Sequence, residues 1–227
     1  MIRSRSEFPA TWTFADLLKH LGDISPARIR LQPAPGKASE HDVLAIQKSE
    51  DRLYELIEGV LVEKIMGYLE SYLAVELSRL LGNFIAEQDL GILTGTDGAL
   101  RLMPGLVCIP DVSFVSWDRL PNRRIPTEAL PDLTPDLAVE ILSEGNTPAE
   151  MERKLRDYFR SGTQLVWYID PQRRTVRVYS NPDQCVELRE RQTLDGGVVL
   201  PGFSLSLMQL FARLPKPQRR NKKNGNG

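Results

Sequence analysis

Residues 137–171 read LAVEILSEGNTPAEMERKLRDYFRSGTQLVWYIDP: an apolar run, a capped amphipathic stretch and a second apolar run in close order. Leu137 to Leu142 is short and apolar, which suits a buried strand. Thr147 then stands at a helix N-cap, Pro148 at the first helical position and Glu150 at the third, the spacing of a capping box. Met151, Leu155, Tyr158 and Phe159 recur at three- and four-residue steps and predict the buried stripe of that helix, with Gly162 as its stop. Leu165 to Ile169 is again a strand, turning at Asp170-Pro171 and returning as Thr175 to Tyr179.

Working outward, two strand candidates lie upstream: Ile92 to Met103, interrupted by Gly95 and Gly98, and Val107 to Ser116. A Pro-rich loop, Pro121 to Pro135, separates them from Leu137. Before them, residues 68–88 carry Leu69, Leu73, Leu77, Leu80, Leu81, Phe84 and Ile85 at helical spacing. Tyr54 to Lys64 reads as a hairpin turning at Glu58-Gly59. The expected core is therefore helix-strand-strand-strand-helix-strand, an α/β (α+β) fold with a mixed central sheet flanked by helices. Residues 1–45, with a capped helix starting after Thr13, form an N-terminal accessory segment. Residues 46–214 form the main domain, closing with short strands and a helix near Leu205–Leu214.

Composition narrows the function. The net charge is −1, yet the segment 215–227 holds five cations and no acid, which leaves −6 for the rest. That tail reads as disordered and basic, attached to an acidic body. No apolar run reaches the roughly 20 residues of a membrane span. Met1 to Ala10 lacks the apolar stretch of a secretory signal, so a cytoplasmic location is expected. The two cysteines, Cys108 and Cys185, form no metal-binding pair and are expected as reduced, buried thiols. Both histidines, His20 and His41, lie in the N-terminal segment, which argues against a histidine-dependent nucleophile in the core. There is neither a P-loop nor a dinucleotide-binding glycine motif.

Carboxylates, lysine and metal remain. Asp111 opens the apolar run Val112-Ser113-Phe114-Val115, and Glu140 lies inside Leu137–Leu142. A charge within an apolar strand is costly unless paired or metal-bound. If the strands are neighbours, two facing carboxylates at roughly 4 Å repel by about 4 kcal/mol at an effective dielectric of 20. A divalent cation removes that penalty, and oxygen ligands suit Mg²⁺ or Mn²⁺. The alternative for each is ordinary: a solvent-facing edge charge for Glu140, a turn for Asp111. At about 100° per residue, Lys154 falls some 60° from Met151, on the shoulder of the buried stripe. It can point to the sheet or snorkel to solvent. Arg153, Arg156, Asp157 and Arg160 take the far face.

The run Pro110-Asp111, Val139-Glu140-Ile141-Leu142-Ser143, Lys154-Leu155, Tyr158 and Val166-Trp167-Tyr168-Ile169-Asp170-Pro171 resembles the Uma-type family of "putative restriction endonucleases", of the PD-(D/E)XK nuclease superfamily. So does the Tyr54-Glu55-Leu56-Ile57-Glu58-Gly59 hairpin; the likeness spans roughly residues 50–210. The resemblance implies a restriction-endonuclease-like core. It also implies a metal-dependent endonuclease cutting phosphodiester bonds in nucleic acid, DNA foremost, with Mg²⁺ or Mn²⁺ on Asp111, Glu140 and the Ile141 backbone carbonyl. The superfamily's lysine stands two residues after the glutamate. Here Leu142 occupies that position, and Lys154 on the next helix is the expected substitute. Glu70 is a candidate auxiliary acid, and Glu55 a weaker one, with a solvent or core-edge role as its alternative. A homodimer is compatible with cutting two strands. The other reading is a non-catalytic nuclease-fold module that binds nucleic acid or protein.

Overall fold

The structure, a computed structural model, describes residues 8–215. Helices α1 (Phe14–His20) and α2 (Glu40–Glu50) precede the hairpin of β1 (Tyr54–Ile57) and β2 (Val60–Glu63). The long helix α3 (Tyr68–Gln88) follows, then β3 (Gly91–Thr94), β4 (Leu100–Met103), β5 (Leu106–Cys108), β6 (Val112–Ser116) and β7 (Leu137–Ile141). Helix α4 (Pro148–Ser161) leads to β8 (Leu165–Asp170), β9 (Thr175–Asn181) and β10 (Gln184–Arg189). The ribbon β11 (Thr193–Gly196) and β12 (Leu200–Ser206) and the short helix α5 (Leu207–Leu210) complete the described chain. The basic tail expected at 215–227 lies, from residue 216 onward, outside the described residues.

The order α3-β3-β6-β7-α4-β8 follows the expected core sequence, but the three strand runs expected between the helices contain five strands in two sheets. One sheet has six strands in the order β10-β9-β8-β7-β6-β3, the other four in the order β2-β1-β5-β4. The run 92–103 changes sheet between β3 and β4, across Gly95 and Gly98. The run 107–116 changes sheet at Ile109-Pro110-Asp111, where proline has no N–H to continue a ladder. The six-stranded sheet is mixed: β6 and β7 pair antiparallel, β7 and β8 parallel across α4.

Side-chain alternation along β7 divides the interior in two. Leu137, Val139 and Ile141 face α3, the β11–β12 ribbon and α5, joining Leu77, Leu81, Trp167 and Phe211 in one core. Ala138 faces the opposite way, into a second core with Met151, Leu155 and Tyr158 of α4 and with Ile57, Val60 and Val62 of the hairpin. Glu140, two residues on from Ala138, belongs to that second face. The sheet is thus covered on both sides, and the one charged group of β7, Glu140, opens towards α4.

Helix α4 begins as its sequence predicts, with the Thr147 hydroxyl accepting from the Glu150 N–H at 3.0 Å. The capping box is not completed. The Glu150 carboxylate turns to Arg28 at 2.8 Å, because burial among the N-terminal residues brings a guanidinium within reach. The Thr147 hydroxyl also donates to the Gly22 carbonyl. Gly22, at φ +90°, lies so close to the Glu150 backbone that a Cβ would overlap it. The N-terminal segment is joined to the hairpin as well, by the Ile29–Val62 bridge. Residue 46, expected to open the main domain, lies inside α2.

Two further expectations are corrected. Asp157, assigned to the solvent face of α4, is buried, held by Arg153 at 2.8 Å and Arg160 at 3.2 Å. Cys185 is exposed on β10, while Cys108 is buried and its thiol is pushed well above the usual range by burial and by nearby Glu55. β10 is the edge of its sheet and carries an exposed pattern, so its cysteine faces solvent. A thiol reagent should accordingly modify one cysteine in the native protein, Cys185, and reach the second only on unfolding; rapid reaction of both would contradict this burial. Among the described residues, no helix is long and apolar enough to cross a membrane.

Candidate active site

The register of the β6–β7 pair ends at Val112 opposite Val139, with Asp111 just before β6 and Glu140 next along β7. Both carboxylates line one pocket with Lys154 of α4, so they share the α4 side of the sheet. The Asp111 N–H donates to the Val139 carbonyl at 3.0 Å, one residue out of the ladder's register, and ties Asp111 to β7. Asp111 Oδ2 accepts from the Ile141 N–H at 2.6 Å. Asp111, Glu140, Ile141 and Lys154 all line one pocket, with Glu55 and Glu70.

Lys154 is 6% exposed and points inward rather than to solvent. Its Nζ lies 2.7 Å from Glu140 Oε1 and 3.0 Å from Glu55 Oε1. One turn along α4, the Tyr158 hydroxyl donates to the same Glu140 oxygen at 2.5 Å. Lys154 and Tyr158 are four residues apart, so both project from one face of the helix onto one carboxylate. Glu55, 2% exposed, also accepts from the Ile109 N–H at 3.0 Å. A weak candidate in the sequence, it sits at the centre of the network. Glu70 lies on the pocket wall, its carboxylate folded back over Gly67 at the start of α3.

Two site residues escaped sequence reasoning. Lys64 Nζ stands 2.8 Å from Asp111 Oδ1 and donates to the Ile109 carbonyl. A signal for it existed: Glu55 pairs with Val62, and Lys64 is two residues beyond Val62, so Glu55 and Lys64 share a hairpin face. Arg28 gave no signal. It reaches the pocket from the N-terminal segment, donating through Nε to the Glu63 carbonyl at 3.0 Å besides pairing with Glu150.

Burial and charge set the protonation of the cluster. Glu140 is pushed above the usual carboxylate range by burial, with Asp111 adding to the push against the pull of Lys154. Glu55 moves the other way: burial opposes its charge, but Lys154 and Lys64 outweigh it and hold the carboxyl low. Lys154, despite burial, is held well above its ordinary value by Glu140 and Glu55. Lys154 is therefore a charged ammonium shared between two carboxyl groups of unequal basicity.

Among the described residues, no group of three or more His, Cys, Asp or Glu side chains is arranged to hold a metal ion. The set expected from sequence has only two side-chain carboxylates and a backbone carbonyl, and Lys154 separates Glu55 from Glu140. The charge of the pocket suits a divalent cation nonetheless. Its wall carries five carboxylates (Glu55, Glu70, Asp111, Glu140, Glu150) against three cations (Arg28, Lys64, Lys154), a balance of −2.

Comparison with known proteins agrees with this architecture. A crystal structure of a putative nuclease belonging to DUF820 from Anabaena variabilis superposes with a TM-score of 0.63 at 22% sequence identity, covering 71% of this chain and 91% of that one. The likeness is one of fold. No curated protein matches the chain. The profile of the Uma2 family, described as "Putative restriction endonuclease", matches residues 40–208, from α2 to the start of α5 and around every pocket residue named above except Arg28. The chain belongs to the Uma2 family of putative restriction endonucleases.

Proposed function

We propose that the chain is a divalent-metal-dependent endonuclease of the PD-(D/E)XK type that hydrolyses phosphodiester bonds in nucleic acid, with DNA as its substrate. The observation that carries this reading is the convergence of Asp111 and Glu140 in one pocket, with Lys154 2.7 Å from Glu140. Asp111, Glu140 and the Ile141 carbonyl would hold Mg²⁺ or Mn²⁺. When bound, that ion polarises the phosphate and lowers the pKa of a coordinated water.

The chain's own groups do the rest. An ammonium has three donors, and Glu140 and Glu55 take two of those on Lys154. The third orients the attacking water or meets the negative charge that builds on the phosphoryl oxygens. Tyr158 fixes the Glu140 carboxylate from the helix side, and the Ile141 N–H fixes Asp111. Water adds to phosphorus, the bond to one ester oxygen breaks, and that oxygen leaves as the alcohol after protonation. Glu70, on the pocket wall, is an auxiliary acid. A homodimer would place one such pocket on each strand of a duplex.

The saturation of these carboxylates by lysines favours the second reading, a nuclease-fold module that binds without cutting. A thermal melt with and without millimolar Mg²⁺ or Mn²⁺, beside a cleavage assay on DNA and RNA, separates the two. A metal-dependent rise in melting temperature with cleavage is expected. A melt indifferent to both metals, with no cleavage, would leave the binding module.

A further inference from the structure

Asp111 and Glu140 line a narrow pocket whose free volume is about 20 Å³, room for little more than a water molecule. A second cavity of about 410 Å³ opens beside it, within the roughly 300–1,000 Å³ of ordinary ligand sites. Arg28, Ile65, Glu70, Ser143 and Asn146 belong to both walls, so the two spaces adjoin. A strand whose phosphate reaches the acids places its neighbouring nucleotide in the larger space. The charged groups of that wall are Arg28, Glu70 and Glu144, a balance of −1, which repels a further phosphate and suits a neutral base. Its polar groups include both donors and acceptors, as the edge of a base requires. Arg28, on the turn Pro26–Arg28, is 8% exposed; its Nε donates to the Glu63 carbonyl at 3.0 Å and its Nη1 stands 2.8 Å from Glu150. Gln172 donates to Glu144 at 3.1 Å. Among the described residues, neither Arg28 Nη2 nor the Gln172 amide oxygen has a hydrogen-bond partner. Ile65, 64% exposed, adds apolar surface against which a ring can lie.

We infer that this cavity is the subsite for one unpaired nucleotide of the substrate strand, its base against Ile65, with Arg28 Nη2 donating to it and the Gln172 amide oxygen accepting from it. A base still paired in a duplex is held by its partner and its stacked neighbours and cannot enter a walled cavity. The nucleotide therefore comes from a single strand or is turned out of a duplex. Arg28 precedes residues 40–208, so the N-terminal segment forms part of the substrate site as well as packing on the domain. The inference rests on the nuclease reading for the place of the phosphate, and it names the class of substrate that site takes.

Fluorescence anisotropy of labelled oligonucleotides with the full chain, without metal, tests this on a short single strand, the same strand fully paired, and a duplex with one bulged nucleotide. The single strand is expected to bind at least about tenfold more tightly than the paired duplex, which must first extrude a base. Equally tight binding of the bulged duplex would extend the subsite to nucleotides turned out of a duplex; weak binding there would assign it to single strands. Gly145→Trp sets a ring at the cavity wall. The nearest atom to an added Cβ is Ser143 Oγ at 3.7 Å, so the backbone accepts the substitution. It is expected to lose at least about tenfold in single-strand affinity at an unchanged melting temperature. Arg28→Met is made on Glu150→Gln, which leaves no buried carboxylate unpaired, and is expected to bind the single strand more weakly than Glu150→Gln alone. Equal affinity in those two variants overturns the inference, because an Arg28 that serves only the fold would leave binding unmoved. So does a folded Gly145→Trp with wild-type affinity. A wild type that binds paired and unpaired strands alike, or neither, overturns it whether or not the variants fold. Any of these results beside metal-dependent hydrolysis of bis(p-nitrophenyl) phosphate, a diester without a base, leaves the nuclease reading standing. A wild type that prefers unpaired strands but hydrolyses neither nucleic acid nor that diester overturns the nuclease reading and keeps the subsite.

Discussion

Lys154→Ala is expected to unfold at a markedly lower temperature than wild type in the absence of metal, and to lose at least about a hundredfold in cleavage rate. From sequence alone this substitution is expected to keep metal binding and lose cleavage. The structure changes that expectation. The Lys154 ammonium is the cation shared by Glu140 and Glu55, which are 6% and 2% exposed. Its removal leaves two buried carboxylates facing one another, and breaking a buried ion pair costs about 3–5 kcal/mol. Without Lys154, both carboxyls are driven up, so the fold regains stability by taking up protons. The destabilisation should therefore be larger at pH 8 than at pH 5. Divalent metal should restore part of the stability but not the rate, because the ion replaces the charge and not the donor. Melts at the two pH values, with and without Mg²⁺, together with single-turnover cleavage, would measure these effects. A variant that melts and cleaves like wild type would remove Lys154 from the site.

Glu140→Gln should separate metal binding from folding. A ligand that binds only the native state stabilises it by about 2.7 kcal/mol at a hundredfold excess over its dissociation constant. Wild type should show such a gain with Mg²⁺ or Mn²⁺, and Glu140→Gln should show none while cleaving nothing measurable. Without metal, the variant should be at least as stable as wild type at neutral pH, since burial and Asp111 raise the Glu140 carboxyl above its usual 4.5. Between 4.5 and that raised value, the folded chain holds a proton that the unfolded chain has lost. The carboxyl therefore contributes less stability as the pH rises through this window. Glu140→Gln should flatten that part of the pH profile. Glu55, whose carboxyl is lowered, acts in the opposite sense: its contribution is present above 4.5 and is lost as pH falls through its lowered value. A variant that still responds to both metals would place the cation elsewhere in the pocket.

Much of this arrangement is legible in local sequence, because local signals carry it. Thr147, Pro148 and Gly162 bound α4, and the 3.6-residue rhythm of Met151, Leu155 and Tyr158 sets its buried face. That rhythm also places Lys154 on the shoulder of the stripe, within reach of the sheet. Leu137–Leu142 and Leu165–Ile169 are short apolar runs around a capped helix, and they form the parallel pair β7–β8. Tyr54 to Lys64 declares its hairpin through Glu58-Gly59. The candidates Asp111 and Glu140 stand out as acids in apolar strands.

What sequence left open depends on contacts between distant segments. An apolar run looks the same whether one sheet or two receives it, so Val107 to Ser116 read as one strand although Pro110 divides it between sheets. The placement of Arg28 against Glu150, 122 positions along the chain, follows from how the N-terminal segment packs, and no periodicity encodes it. Asp157 follows the same rule: its helix angle assigns it to solvent, yet Arg153 and Arg160 hold it in a buried position. By itself the sequence determined α1, α3 and α4, the hairpin, the β7-α4-β8 unit and the acids worth suspecting, but not α2, because capping, turn chemistry and hydrophobic period act within a few residues. Only the tertiary structure decided the sharing of Lys154 between Glu140 and Glu55 and the placing of Lys64 on Asp111. Electrostatic partners are chosen by distance in space, and burial strengthens whichever pairs the packing brings together.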